Sequence, residues 1–252
     1  MAIDFRAALR YPFSGSNVFH AWLIPGTLIL LVQALTFGVI LGARQAFPQL
    51  TQPQLVLLSA PFTIVLNLLL GGFYWHMAHQ LQTQGYQAPV ESWQQAIGAY
   101  FKDGAKLFPY LILVNVLLTL LLGLPIFVPT GTDVTAGLLM ALLIVGLAIV
   151  VTPFLVAPVI QSAQTYRLKD LFNFKKTAAF LKGTYRQGLI AMLMAFPVLA
   201  VYILLMALLM MMPITSILLP YAIMAMMVTT WHLLNQGLST QGAWQHLGTT
   251  EA

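Results

Sequence analysis

The sequence predicts an all-α integral membrane protein with about six transmembrane helices, paired as three hairpins, and short amphipathic helices at the cytoplasmic interface. Of its 252 residues, 60% are hydrophobic and only 7% are charged, whereas a soluble domain carries about 25% charged residues. A soluble fold could not hide this much apolar surface from water. The apolar residues also form runs of roughly 20 residues or more, which is the length that crosses a bilayer.

Six apolar runs reach this length, and short loops pair them as hairpins. Met212-Pro213 joins the last two runs almost directly, and Pro129–Asp133 form a tight turn between the third and the fourth. The predicted spans are residues 20–43, 54–79, 107–128, 134–161, 188–212 and 214–235. They make one domain over residues 1–235, followed by a polar tail over residues 236–252.

The basic residues lie almost entirely on one side of these spans. That side holds the N-terminal segment and two polar stretches, residues 80–106 and 162–187, whereas the other side carries Arg44 alone. Its basic residues are Arg6, Arg10, Lys102, Lys106, Arg167, Lys169, Lys175, Lys176, Lys182 and Arg186. Because positive charge marks the cytoplasmic side, both termini are expected in the cytoplasm of a prokaryotic cell. Basic residues at span ends predict lipid phosphates as partners, and not nucleic acid.

The first polar stretch predicts an amphipathic helix in the membrane interface. Its apolar residues fall at helical spacing and form a face that is too short to span. Pro89 and Gly104 bracket this segment as start and stop signals. The residues predicted to contact lipid or a partner protein are Trp93, Ile97, Tyr100, Phe101, Lys102 and Lys106, together with Lys175 and Lys176 of the second stretch.

Short matches along the chain predict an internal repeat. Ala99-Tyr100-Phe101-Lys102 matches Ala179-Phe180-Leu181-Lys182, and Trp75-His76 matches Trp231-His232. The N-terminal residues 5–13 form a third, shorter amphipathic segment. The predicted unit is an interfacial helix followed by a transmembrane hairpin, three times over.

The region from Gly72 to Lys106 resembles a family of bacterial and archaeal membrane proteins called domain of unknown function 4013. The resemblance rests on Gly72-Phe73-Tyr74, Gly85, Pro89, Trp93, Phe101 and Gly104-Ala105-Lys106. Apolar hairpins alternating with polar cytoplasmic stretches match that family across most of the chain. Since the family has no established activity, the resemblance implies a topology and no reaction.

Four histidines are candidate cofactor ligands. His20, His76, His79 and His232 lie near the cytoplasmic ends of predicted helices, and imidazole can ligate a metal, haem or a chlorophyll-type pigment. His76 and His79 share one helix face. The alternative is that these are interfacial histidines bonded to head groups or loop backbone. We expect no cofactor and no metal, because no carboxylate accompanies the histidines within the predicted spans.

Three amides lie near the middle of predicted spans. Gln33, Asn67 and Asn115 would each leave polar atoms unpaired if they faced lipid. They are therefore expected to face protein, as a polar cluster between helices or as the lining of a substrate path.

The functional prediction is a non-catalytic accessory, assembly or structural subunit that contacts other membrane proteins or lipids. All six acidic residues lie outside the predicted spans, which disfavours a proton relay or an ion-coupled carrier. No phosphate-binding loop, nucleophile elbow, zinc-protease motif or dinucleotide fingerprint occurs, so an enzyme is not expected. The alternative is a small transporter or permease component for an uncharged or amphipathic molecule.

Overall fold

The computed structural model describes residues 3–123, 134–211 and 215–239, with side chains outside 118–142. These residues are helical, with no strand among them, and the prediction of an all-α membrane protein is confirmed. Their α-helices are α1 Phe5–Arg10, α2 Ile24–Ala46, α3 Gln52–Gln84, α4 Trp93–Gly123, α5 Val134–Thr165, α6 Phe174–Met210 and α7 Leu219–Gly237. A π-helical turn, Val18–Leu23, leads into α2, and 3₁₀ turns occupy Tyr11–Phe13, Leu168–Phe172 and Thr215–Leu218.

Five helical segments in the described ranges are long and apolar enough to cross a membrane. They are Val18–Ala46, Gln52–Gln84, Leu143–Thr165, Phe174–Met210 and Thr215–Gly237. The third predicted span, residues 107–128, falls partly outside the described residues. A total of six spans therefore stays a prediction.

The second helix of each predicted hairpin lies toward the centre of the bundle. α3, α5 and α7 contact one another, while α4 packs on α3, α6 on α5 and α7, and α2 on α3 and α7. The connections 85–92 and 166–173 and the N-terminal segment lie at one end of the bundle, which we call the basic end. α4 contacts α3 far more extensively than its predicted hairpin partner α5, so the three hairpins and the threefold repeat stay predictions.

Most buried side chains lie in the half of the bundle nearest the basic end. In α3 they run from Leu68 to Gln82, and only Leu55 and Ser59 are buried nearer the opposite end. In α6 none is buried beyond Val198. The other half exposes large apolar side chains, which suits contact with lipid, since acyl chains are as apolar as leucine.

The two polar stretches differ from the prediction of separate interfacial helices. Residues 93–106 are the first turns of α4, and residues 174–187 are the first turns of α6. Gly104 does not end a helix, because it is the point where the backbone of α3 crosses α4. A Cβ on Gly104 would lie 1.7 Å from the carbonyl oxygen of Leu68. The glycine thus permits close helix packing, and its role as a stop signal was wrongly predicted.

Candidate functional site

Buried amide side chains join the three central helices at the basic end. Nε2 of Gln82 in α3 donates to the backbone carbonyl of Asn235 in α7 at 2.9 Å, and Gln164 in α5 donates to Oε1 of Gln82 at 3.0 Å. Asn235 in turn donates to the carbonyl of Trp231 at 2.9 Å. Gln82 and Asn235 are buried. The sequence analysis missed this junction because its amides lie near helix ends, where they resemble ordinary solvated residues.

His76 lies between two carboxylates where α3 meets α4. Its Nε2 donates to Oδ2 of Asp103 at 3.0 Å, and its Nδ1 is 3.6 Å from Oε2 of Glu91. Lys106 donates to the other oxygen of Asp103 at 2.8 Å. Because His76 and Asp103 are both buried, these contacts fix the joint between the two helices. No pattern in the sequence indicates this pairing, since Asp103 lies on the polar face of the predicted interfacial helix.

The surroundings of Asp103 favour its ionised form. Burial raises the pKa of Asp103, but hydrogen bonds and positive charge from Lys106 and His76 outweigh burial and hold the pKa below its ordinary value. Burial also raises the pKa of Tyr100, and the negative charge of Glu91 adds to this effect. The neutral Tyr100 hydroxyl donates to the backbone carbonyl of Glu91 at 3.2 Å. The arrangement is a buried carboxylate that His76 and Lys106 hold at a helix crossing.

His79 contacts the corner that follows α5. Its Nδ1 donates to the carbonyl of Ala163 at 2.7 Å, and its ring centroid is 4.5 Å from that of Tyr166. Tyr166 has φ +51°, a left-handed conformation that residues other than glycine seldom adopt. Trp75 packs on the same ring at 4.8 Å and donates to Oγ of Ser162 at 3.0 Å. α3 therefore holds this corner in place.

His232 uses both ring nitrogens within the protein. Nε2 donates to the carbonyl of Tyr86 at 2.7 Å, and Nδ1 accepts from Nε2 of Gln236 at 3.0 Å. The ring of Tyr11 lies 4.4 Å away. Nδ1 of His20 is buried and finds no hydrogen-bond partner within the described residues.

The four histidines do not converge on one point. His76 and His79 share α3, yet one bonds to Asp103 of α4 and the other to Ala163 of α5. In residues 3–123, 134–211 and 215–239, no three His, Asp or Glu side chains are arranged to hold a metal ion. The arrangement of His76, His79 and His232 therefore favours hydrogen bonding to neighbouring helices over cofactor ligation.

The residues of the predicted interfacial face of α4 fall into a buried pair and an exposed pair. Trp93 and Tyr100 are buried, at 3% and 1% exposure, whereas Ile97 and Phe101 are 46% and 44% exposed. The ring of Trp93 stacks on Phe73 at 5.3 Å. Because positions 93 and 100 are two turns apart, they share the side of α4 that faces α3. Ile97 and Phe101 remain available to lipid or a partner.

The four lysines predicted to contact lipid or a partner fall into two groups, those paired with a carboxylate and those that are not. Lys106 pairs with Asp103, as described above, and Lys176 pairs with Oδ1 of Asp170 at 3.1 Å. Hydrogen bonds from Lys176 and Thr165 hold the pKa of Asp170 below its ordinary value. Lys102 and Lys175 are exposed and pair with no acidic residue that the structure describes, so these two of the four are available to lipid phosphates.

Two of the three predicted span amides share one cleft, which we call the amide cleft. Asn67 and Asn115 line a cleft of about 480 Å³ between α3 and α4 that reaches Met227 of α7. Each donates to its own helix, Asn67 to the carbonyl of Thr63 and Asn115 to that of Leu111, both at 2.8 Å. Both amides remain exposed.

Gln33 does not belong to this cluster. It is exposed on α2 and does not line the amide cleft. The expectation that the three amides bond across helices is wrong for Asn67 and Asn115, because the carbonyl one turn earlier on their own helix satisfies one amide proton. Each keeps its side-chain oxygen for another partner.

The residues behind the family resemblance come together where α3 crosses α4. Gly72 and Gly104 allow the crossing, Phe73 and Trp93 stack beside it, and Gly85 ends α3 with φ +102°. The family model described as "Protein of unknown function (DUF4013)" matches residues 54–211, which is well over half of the chain. No curated protein and no solved structure matches significantly. The chain therefore belongs to the DUF4013 family of proteins of unknown function.

Proposed function

We propose that this protein is a non-catalytic accessory subunit that holds another membrane protein through the amide cleft. One observation carries the proposal: Asn67 and Asn115, each near the middle of a predicted span, share one cleft and are exposed there. An amide without a partner in hydrocarbon costs several kcal/mol. A polar side chain on a helix of a partner protein removes that cost.

Several features support a role without catalysis at the membrane. The acidic residues all lie outside the predicted spans, and the rings of His76, His79 and His232 are hydrogen-bonded to neighbouring parts of the bundle. The gathering of basic residues supports a cytoplasmic position for the basic end and for both termini in a prokaryotic cytoplasmic membrane. Ile97, Phe101, Lys102 and Lys175 are suited to contact lipid or the same partner at the interface.

The amide cleft also supports a second function, as a small transporter or permease component for an uncharged or amphipathic molecule. Its volume of about 480 Å³ lies in the range of ligand pockets, about 300–1,000 Å³. A permease additionally needs a path past the buried junction of Gln82, Gln164 and Asn235. That need makes the subunit role our first choice.

Extraction from the native membrane distinguishes the two functions. The wild-type protein and Asn67→Leu/Asn115→Leu are purified in mild detergent, and the mass of the intact complex is measured. Gln33→Leu is the matched control, because it removes an exposed span amide outside the cleft. We expect a defined protein partner with the wild type and Gln33→Leu, and its loss from the double variant. A bound small molecule, lost in the double variant without any change of protein partners, would favour transport.

A further inference from the structure

A second cleft, which we call the lysine cleft, lies between α4, α5 and α6. It shares no lining residue with the amide cleft. Its volume is about 570 Å³, again in the range of ligand pockets. The walls are mainly apolar, with Leu113 and Val114 of α4, Leu155 and Pro158 of α5, and Leu181 of α6. Such walls accept a hydrocarbon chain.

Three of the four polar side chains on these walls form hydrogen bonds within the protein. Their bonds run from Tyr110 to the carbonyl of Leu155, from Thr177 to Oε1 of Gln161 and from Tyr185 to the carbonyl of Val150. The fourth is Lys182. It is exposed, and it makes no hydrogen bond or ion pair with any other residue that the structure describes. The cleft therefore combines apolar walls with one ammonium group available to a ligand.

The charge around the lysine cleft is positive. Among the residues that the structure describes, no carboxylate lines the cleft, and Asp170, just before α6, is paired with Lys176. Lys175 and Arg186 are exposed and lie seven residues before and four residues after Lys182, on the same side of α6. A ligand head group with negative charge is complementary to this side of the cleft.

We propose that the lysine cleft binds an anionic glycerophospholipid from the surrounding leaflet. An acyl chain lies along the apolar walls, and the phosphate meets the ammonium group of Lys182. The exposed rings of Phe154 and Phe174 border the cleft, which adds to its apolar surface. This binding is independent of the amide cleft and of the partner proposed for it.

Lipid retention by the purified full-length protein tests the proposal. The protein is stripped of lipid in detergent, offered phosphatidylglycerol or phosphatidylcholine with the same acyl chains, and analysed by native mass spectrometry. We expect phosphatidylglycerol to be retained in preference. Lys182→Gln should lower its retention about fivefold, since one basic group near a membrane surface contributes about 1 kcal/mol. Phosphatidylcholine retention should not change.

Two further variants make the test specific. Lys169→Gln removes an exposed lysine of the same end that does not line the cleft, and it should leave retention unchanged. Ala178→Trp fills the cleft from an exposed position of α6 and should abolish retention of both lipids at an unchanged melting temperature. Equal losses in the two lysine variants, retention by Ala178→Trp, or capture of free fatty acid without phospholipid would each overturn the proposal.

Discussion

Gly72 and Gly104 bring the backbones of α3 and α4 into direct contact. A Cβ on Gly72 would lie 1.8 Å from the carbonyl oxygen of Tyr100, and one on Gly104 would lie 1.7 Å from that of Leu68. Because the obstructing atoms are backbone on both sides, neither helix can make room by changing a rotamer. This crossing positions the hydrogen bond between His76 and Asp103.

Replacing either glycine should separate the two helices. We expect Gly72→Ala and Gly104→Ala each to cost about 3 kcal/mol, the upper part of the usual range for overpacking, because backbone atoms must move. Thermal unfolding in detergent measures the change. Gly98→Ala is the control, since nothing lies within 4 Å of a Cβ there, and it should be neutral or stabilising. Equal stability of all three variants would contradict the crossing.

Removing the charge of Asp103 should loosen the same joint. Asp103→Asn is expected to cost about 1–3 kcal/mol at neutral pH, because hydrogen bonds from Lys106 and His76 to a charged group are lost. A double-mutant cycle with Lys106→Met measures the coupling. Additive effects of the two substitutions would show that the pair contributes no coupling energy.

The joint should also weaken in acid. The pKa of Asp103 is lowered in the folded protein, so its contribution is complete above the unfolded value of about 3.9 and is lost as pH falls through the folded value. The melting temperature of the wild type should therefore decrease below about pH 4. The melting temperature of Asp103→Asn should decrease less over the same pH range. The decrease that remains is expected from Asp170, whose pKa is also lowered. If the melting temperatures of the wild type and Asp103→Asn depended on pH in the same way, Asp103 would not be the group that weakens the joint in acid.

Trp93 should be shielded from water. It stacks on Phe73, and its Nε1 donates to the carbonyl of His20 at 2.7 Å. The fluorescence lost in Trp93→Phe should be blue-shifted relative to free tryptophan. Trp93→Ala should cost about 3–5 kcal/mol, and Phe101→Ala, at an exposed position, should cost much less. Emission like that of free tryptophan would show that this part of α4 is solvated.

Cysteine labelling tests the orientation. The chain has no cysteine, so single cysteines at Gln49, Gln84 and Lys175, which are all exposed, can each be treated with an impermeant reagent in intact cells. Only the cysteine at position 49 should react until the cells are opened. Reaction at positions 84 and 175 in intact cells, with no reaction at position 49, would show that the topology is the reverse of the predicted one.

The sequence predicted the long apolar helices well, because a bilayer sets the length of an apolar run. It did not predict that residues 93–106 continue into α4. Pro89 and Gly104 resemble helix boundaries locally, and only the approach of α3 explains a glycine in the middle of a helix. Interfacial placement of Trp93 was likewise inferred from composition, whereas contact with Phe73 buries it.

The candidate sites were predicted only in part. Asn67 and Asn115 were singled out because an amide in a span is costly, and they do share a cleft. Their separation from Gln33 depends on the rotation of α2, which periodicity does not give. The pairing of His76 with Asp103 joins residues on two helices, and a single sequence carries no signal for such a contact.

Photocrosslinking from the amide cleft tests the central proposal most directly. A photoreactive residue replaces Ile112, which lines the cleft and is 48% exposed, or Val201 of α6, which lies outside it and is 66% exposed. After irradiation in native membranes, the crosslinked products are identified by mass spectrometry. We predict one defined membrane protein crosslinked from position 112, absent from position 201 and lost with Asn67→Leu/Asn115→Leu. The same products from both positions, or crosslinks only to lipid, to a small molecule or to a second copy of this chain, would contradict an accessory role at this cleft.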